Sequence, residues 1–242
     1  MTLALRYAVR SDVGLLREGN EDSAYASPRL LAVADGMGGH AAGEVASAVA
    51  IASVAALDGP MTPSSDLLGA LNNAVHSASD TLHQMASADP AVEGMGTTLV
   101  AALELEEELA IASVGDSRAY MFDDRGLHVI TDDQTWVNEV GRPLGLDEES
   151  LRHHPMRHVL TMAIGASAPL TINHYRVPLA KGNLVLICSD GLHGVLEAPR
   201  MEQILNGGRR GGSLEESCRN LIEAAKQAGG PDNVTVVLIG KS

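Results

Sequence analysis

LLAVADGMGGHAAGEVAS, Leu30 to Ser47, is the stretch whose reading decides the fold. Apolar Leu30–Ala34 predicts a short buried strand, Asp35-Gly36 closes it with a turn signal, and an Ala-rich helical pattern begins near Ala42. The strand thus carries a carboxylate at its end on a rigid support, with glycines that let other groups approach the backbone. A lone Asp-Gly after a strand is ordinarily just a turn. Here the device recurs: Asp116 follows the apolar run ELAIASVG, Asp190-Gly191 follows NLVLICS, and Asp232 directly precedes VTVVLI.

Outward from that stretch, residues 3–13 alternate and suit a strand, and RSDVGLLREGNEDSAYA reads as an irregular polar segment bringing Glu21 and Asp22 close to Asp35. Two helices are predicted, over 41–57 and from Asp66 to about Ala88, the second capped by Ser64 or Ser65. From Gly96 the period changes to two. GTTLVAALEL, ELAIASVG, RAYMFD and LHVITD are short runs joined by short polar links, the pattern of an antiparallel meander. Residues 133–157 are polar and poorly periodic, a short helix and then a flap-like surface excursion. TINHYRVPL and NLVLICSDG are strands, 199–205 and 214–228 helices, NGGRRGG a flexible loop between them, and VTVVLIG a closing strand. Strands apolar on both faces must be covered on both sides. Two stacked antiparallel sheets flanked by helix pairs satisfy this, an α+β fold layered as an α/β/β/α sandwich and read as one domain over 1–242.

Composition narrows the function. A formal net charge of −14 disfavours nucleic-acid backbones and anionic membranes, and 2% aromatic residues leave little surface for stacking bases. No stretch approaches the roughly 20 apolar residues of a membrane span, so a soluble, cytoplasmic chain is expected. Cys188 and Cys218 lie in apolar patterns and read as buried, reduced thiols.

Four aspartates at strand termini can converge on one rim of a sandwich. With backbone carbonyls and waters they form a hard oxygen ligand set that selects Mg²⁺ or Mn²⁺ over zinc. Two such ions serve phosphate-ester hydrolysis, because they acidify a shared water and hold attacking and leaving oxygens in line. Arg17 reads equally as a phosphate clamp and as a surface cation paired with Glu21.

REGNED (Arg17–Asp22), DGMGGHAAGEVAS, GTT (Gly96–Thr98), VGDSRAY, ICSDGL and GGPDNVT, in that order, resemble the motif set of the metal-dependent PP2C-type (PPM) serine/threonine protein phosphatases in their compact bacterial form. The resemblance spans about residues 7–239 and implies the same α/β/β/α sandwich. It implies that Asp35 bridges two central ions, that the Gly36 carbonyl binds one and that Asp190 and Asp232 bind the other. Asp116, with Asp190, would hold a third ion. Glu21 and Asp22 would hold metal-bound waters, Asn233 would support Asp232, and Arg17 would clamp the substrate phosphate. Three positions depart from the pattern. Met37 stands where animal members carry a His proposed as general acid, and His40 nearby is no substitute for it. Gln134 replaces the His of a Thr-x-Asp-His stretch, and His158 and Met162 replace an Asn and an Arg. Histidines 76, 83, 128, 153, 154, 174 and 193 match no role and read as structural.

The expected activity is hydrolysis of phosphoserine and phosphothreonine on proteins by a water activated at a binuclear Mn²⁺/Mg²⁺ centre. Cys188 lacks the Arg six residues on that a cysteine-based phosphatase would need; Gly194 stands there. A phosphoprotein-binding pseudo-enzyme and a small-molecule phosphoesterase are the alternatives. By the resemblance, the partners are a bacterial eukaryotic-like Ser/Thr kinase, its targets and forkhead-associated-domain proteins, and the chain is a monomer.

Overall fold

The computed structural model describes residues 5–38, 42–59, 66–105 and 108–241. The chain runs β1 (Leu5–Asp12), β2 (Asp22–Ala26), β3 (Leu30–Met37), α1 (Ala42–Ala55), α2 (Leu67–Ala88), β4 (Gly96–Thr97), β5 (Leu99–Leu105), β6 (Glu108–Val114), β7 (Arg118–Asp123) and β8 (Gly126–Val129). It continues through α3 (Glu148–Arg152), β9 (Asn173–Pro178), β10 (Leu184–Cys188), α4 (Asp190–His193), α5 (Ala198–Arg209), α6 (Leu214–Gln227) and β11 (Val234–Lys241). One sheet has the order β1-β11-β10-β7-β8, the other β2-β3-β5-β6-β9 with β4 beside β3, and the ladders are antiparallel.

The two-residue period of the strands sorts their side chains into separate layers. Leu30, Ala32 and Ala34 of β3 face α1 and α2, where Leu67, Leu71, Val75, Ala78 and Leu82 come off α2 at helical spacing. Leu31 and Val33 point the other way, onto Val185, Ile187, Val237 and Ile239 of the second sheet. Leu186, Cys188, Val236 and Leu238 turn outward again, under Leu205, Cys218 and Leu221 of α5 and α6. Three cores between four layers are what two sheets apolar on both faces require. Each fully buried Leu contributes about 1.5–3 kcal/mol to holding its layers together. No helix among the described residues is long and apolar enough to cross a membrane.

Several local expectations are corrected. The polar segment before Ser27 is not irregular throughout: Asp22–Ala26 forms β2, where Asp22 is buried and the other four residues are half-buried at the sheet edge beyond a two-sided strand. The predicted meander is split, since β5 and β6 pair in one sheet and β7 and β8 in the other, so the link Gly115–Ser117 crosses between layers. The polar links gave no sign of which sheet a run joins. β3 continues through Asp35 and Gly36 to Met37, because β4 pairs with it there. NGGRRGG is not a loop in its first half, as α5 runs on to Arg209 with Gly208 buried. The cap of α2 is Asp66, whose side chain accepts from the Gly69 N–H; Ser64 and Ser65, like His40, lie outside the described residues.

Candidate active site

Antiparallel alternation brings the ends of β1, β3, β6 and β10 and the starts of β2, β7 and β11 to one pole of the sandwich. Asp35, Asp116, Asp190 and Asp232 all line one cavity of about 800 Å³ there, with Arg17 and Glu21. Asp22 lies behind this wall, directly opposite Asp35 in the β2–β3 register.

The backbone of Asp35 is fixed on both sides by the GTT stretch. Its N–H donates to Thr98 Oγ1 (3.0 Å), and its carbonyl accepts from the Thr98 N–H (2.9 Å) and Thr97 Oγ1 (2.9 Å). Thr98 Oγ1 is in turn 2.8 Å from Ser117 Oγ, which ties β3 to the loop bearing Asp116. Gly36 is needed for close approach and not for a turn: a Cβ there would collide with the Gly43 carbonyl at the start of α1. Gly191 repeats this beside Asp190, where a Cβ would collide with the Asn233 carbonyl. Asp190 itself opens the short helix α4 and is not the last residue of β10.

Asn233 organises the segment carrying Arg17, Glu21 and Asp22. Its Oδ1 accepts from the Glu21 N–H (2.8 Å), and its Nδ2 donates to the carbonyls of Val13 (3.0 Å) and Gly19 (2.9 Å). Asp232 Oδ1 accepts from the Asn233 N–H, and Oδ2 accepts from Arg17 Nη2, both at 2.8 Å. Arg17 therefore bonds Asp232; Glu21, the partner weighed from spacing, contributes only at longer range.

The electrostatics follow from burying like charges together. Burial, then the charges of Asp22, Asp190, Asp116 and Asp232, holds the Asp35 carboxyl well above the usual carboxylate range. Burial raises Asp116 to about 7, with Asp190 and Asp133 adding to it. Burial also raises Asp22 to about 6, although Ser189 donates to it. Asp190 is raised by burial and by Asp232. Asp22 Oδ2 accepts from Ser189 Oγ (2.8 Å), but its Oδ1 is buried without a partner.

Among the described residues, no group of three His, Cys, Asp or Glu side chains is drawn tightly enough to hold an ion unaided. The donor set nevertheless fits divalent cations completed by carbonyls and water. It is all oxygen and its charges raise one another's proton affinity, and directly behind it Asp22 holds a buried carboxylate oxygen without a partner. The residues that could hold ions are Asp35, the Gly36 carbonyl, Asp190, Asp232 and Asp116.

Three residues left without a role by the sequence act at this pole. Ser189, fully buried, donates to Asp22 and accepts from the Thr235 N–H (3.0 Å). Gln134 accepts from the Gly115 N–H (2.9 Å) through Oε1 and donates through Nε2 to the Thr171 carbonyl (3.1 Å). His193 Nε2 lies 3.0 Å from the Asp116 carbonyl, and burial lowers this imidazole to about 4, so it is a neutral donor. His193 was readable only as three residues after Asp190; a helical turn is what swings it onto Asp116. The flap-like excursion is pinned at its base, where Thr135 bridges Leu160 and the Trp136 N–H donates to the Val159 carbonyl (2.9 Å). His158, Val159 and Leu160, just beyond its predicted limit, line the same cavity as Met37.

Residues 20–228 match the family model described as Protein phosphatase 2C. The chain is 42% identical over 247 aligned positions to the serine/threonine protein phosphatase PstP of Mycobacterium tuberculosis, covering 98% of this chain and 45% of that protein. It therefore spans about half the length of that relative. It is 34% identical to the serine/threonine phosphatase stp of Listeria monocytogenes, over 95% of this chain and 93% of that one. A crystal structure of the PstP catalytic domain in complex with two manganese ions superposes with a TM-score of 0.88 at 40% identity, covering 99% of both chains.

Proposed function

The chain belongs to the protein phosphatase 2C family, and we propose from that premise that it is a protein serine/threonine phosphatase dependent on Mn²⁺ or Mg²⁺. The observation that carries the reading is the convergence of four mutually repelling aspartates and a guanidinium on one cavity. Asp35 and the Gly36 carbonyl would hold the first ion, Asp35, Asp190 and Asp232 the second, and Asp116 with Asp190 a third. When bound, such ions supply Lewis acidity that makes water a nucleophile near neutral pH and neutralises the phosphoryl oxygens.

The chain's own side chains do the rest. Arg17, half-exposed at the rim, presents a planar fork for two phosphate oxygens, exchanging its bond to Asp232 for the substrate. Glu21 and Asp22 orient water at the carboxylates, and Asn233 anchors the segment that leads into them. The leaving serine or threonine oxygen needs a proton that Met37 cannot give. His158, lining the same cavity, carries an imidazole suited to supplying it. We read residues 1–242 as one catalytic domain that acts as a monomer on phosphoproteins, among them an opposing Ser/Thr kinase and forkhead-associated-domain proteins.

The test is hydrolysis of p-nitrophenyl phosphate and a phosphothreonine peptide by metal-stripped protein titrated with Mn²⁺, Mg²⁺ and Ca²⁺. Turnover that appears with Mn²⁺ and vanishes with EDTA is expected, with the peptide preferred. A folded protein silent with every metal overturns the reading.

A further inference from the structure

At the pole opposite the aspartates, Arg6 of β1, Lys181 before β10, Arg209 at the end of α5 and Lys241 at the end of β11 line a second cavity of about 300 Å³. The β1–β11 register runs from Asp12↔Val234 at the first pole to Leu5↔Lys241 at this one. Seven strand residues at about 3.3 Å each place the two cavities on the order of 20 Å apart. No carboxylate is among the described residues lining the second cavity. In a chain with net charge −14 and three lysines in all, two of those lysines meet here with two arginines.

The cations are built in. Lys241 is 8% exposed. Arg209 is fixed by three contacts: Nε donates to the Gly182 carbonyl (3.0 Å), Nη2 pairs with Asp124, and the guanidinium lies 5.2 Å from the centre of the Phe122 ring. Arg6 Nη1 donates to the Gly212 carbonyl (3.3 Å), while its Nε is buried with no hydrogen-bond partner. A buried guanidinium N–H left unused is costly, and an anion relieves it. The methylene stems and Leu184 make the walls mostly carbon, with the charged heads around them. The unused Arg6 Nε and the exposed Lys181 ammonium, in the positive field of Arg209 and Lys241, suit a tetrahedral oxyanion with several acceptors.

We propose that this cavity binds an oxyanion of the phosphate class, either free phosphate or a phosphoryl group carried on a protein side chain. The site is independent of the proposed catalysis. The test is NMR on the Mg²⁺-loaded protein, following the amides of Gly182, Gly211 and Lys241 during titration with inorganic phosphate and with a peptide bearing a non-hydrolysable phosphonate analogue of phosphothreonine. Saturable shifts at these amides are expected. Lys181→Glu, in an exposed turn, and Arg6→Gln should each raise the Kd read there at least tenfold and leave p-nitrophenyl phosphate turnover unchanged. A peptide binding tighter than phosphate identifies a phosphorylated segment as the occupant; equal affinity identifies the free anion. Absence of saturable shifts at these three amides, or shifts insensitive to both substitutions, overturns the proposal.

Discussion

Asn233 uses both ends of its amide on the segment between β1 and β2, and removing them leaves one N–H and two carbonyls without partners. Each such group costs about 1–3 kcal/mol, less than additively, so Asn233→Ala should lower stability by roughly 2–4 kcal/mol in urea unfolding. The same variant should weaken Mn²⁺ binding by calorimetry, because Glu21 and Asp22 ride on that segment. Asp35→Asn and Asp190→Asn should lose nearly all turnover yet unfold no earlier than the parent when metal is absent, since each removes a charge that its neighbours repel. His158→Ala divides two substrates. An alkoxide leaving group needs a proton far more than p-nitrophenolate does, so peptide turnover should fall by at least tenfold while p-nitrophenyl phosphate turnover changes little. Equal losses on both would remove His158 from the proton-donor role.

At the scale of elements, the site depends on contacts between backbones that side chains would prevent. Gly36 lets β3 touch the first turn of α1, and Gly191 lets α4 touch the residue before β11. Gly191→Ala should therefore push α4 away from Asn233 and carry Asp190 with it. The expected result is a loss of Mn²⁺ affinity with the far-UV spectrum retained, read by calorimetry and circular dichroism. His193 is the opposite kind of tie, a side chain on α4 holding the backbone after β6. The Asp-Gly pairs were plain in the sequence, but their reason was not: a turn signal and a close approach of two backbones are written with the same residue. The GTT stretch was likewise visible as a motif, while its work of fixing both backbone groups of Asp35 depends on β4 and β5 lying beside β3.

For the whole molecule, the buried carboxylates set how stability responds to pH and metal. In EDTA, Asp22 and Asp116 keep protons up to about 6 and about 7 in the folded state, whereas the unfolded chain releases them near 3.8. Their contribution is present in full below that ordinary value and is lost as pH rises through about 7. The urea midpoint of the metal-stripped protein should thus fall between pH 5 and pH 8 on this account. Adding Mn²⁺ at about a hundred times its Kd should restore about 2.7 kcal/mol at the upper pH by mass action, measured as an upward shift in Tm.

The sequence alone determined the two-sided strands, the two helix pairs and the four strand-terminal aspartates. Apolar period and charge placement are local properties, and six ordered motifs resembled one family across nearly the whole chain. Only the tertiary structure decided which sheet each run joins, that the polar stretch before Ser27 contains an edge strand, and that Arg17 bonds Asp232. It alone placed Ser189, Gln134 and His193 around the aspartates and gathered Arg6, Lys181, Arg209 and Lys241 at the far pole. Those outcomes depend on contacts between residues up to 235 positions apart, from Arg6 to Lys241. No local pattern records them, because the same polar residue reads as solvated surface until the fold sets another chain segment beside it.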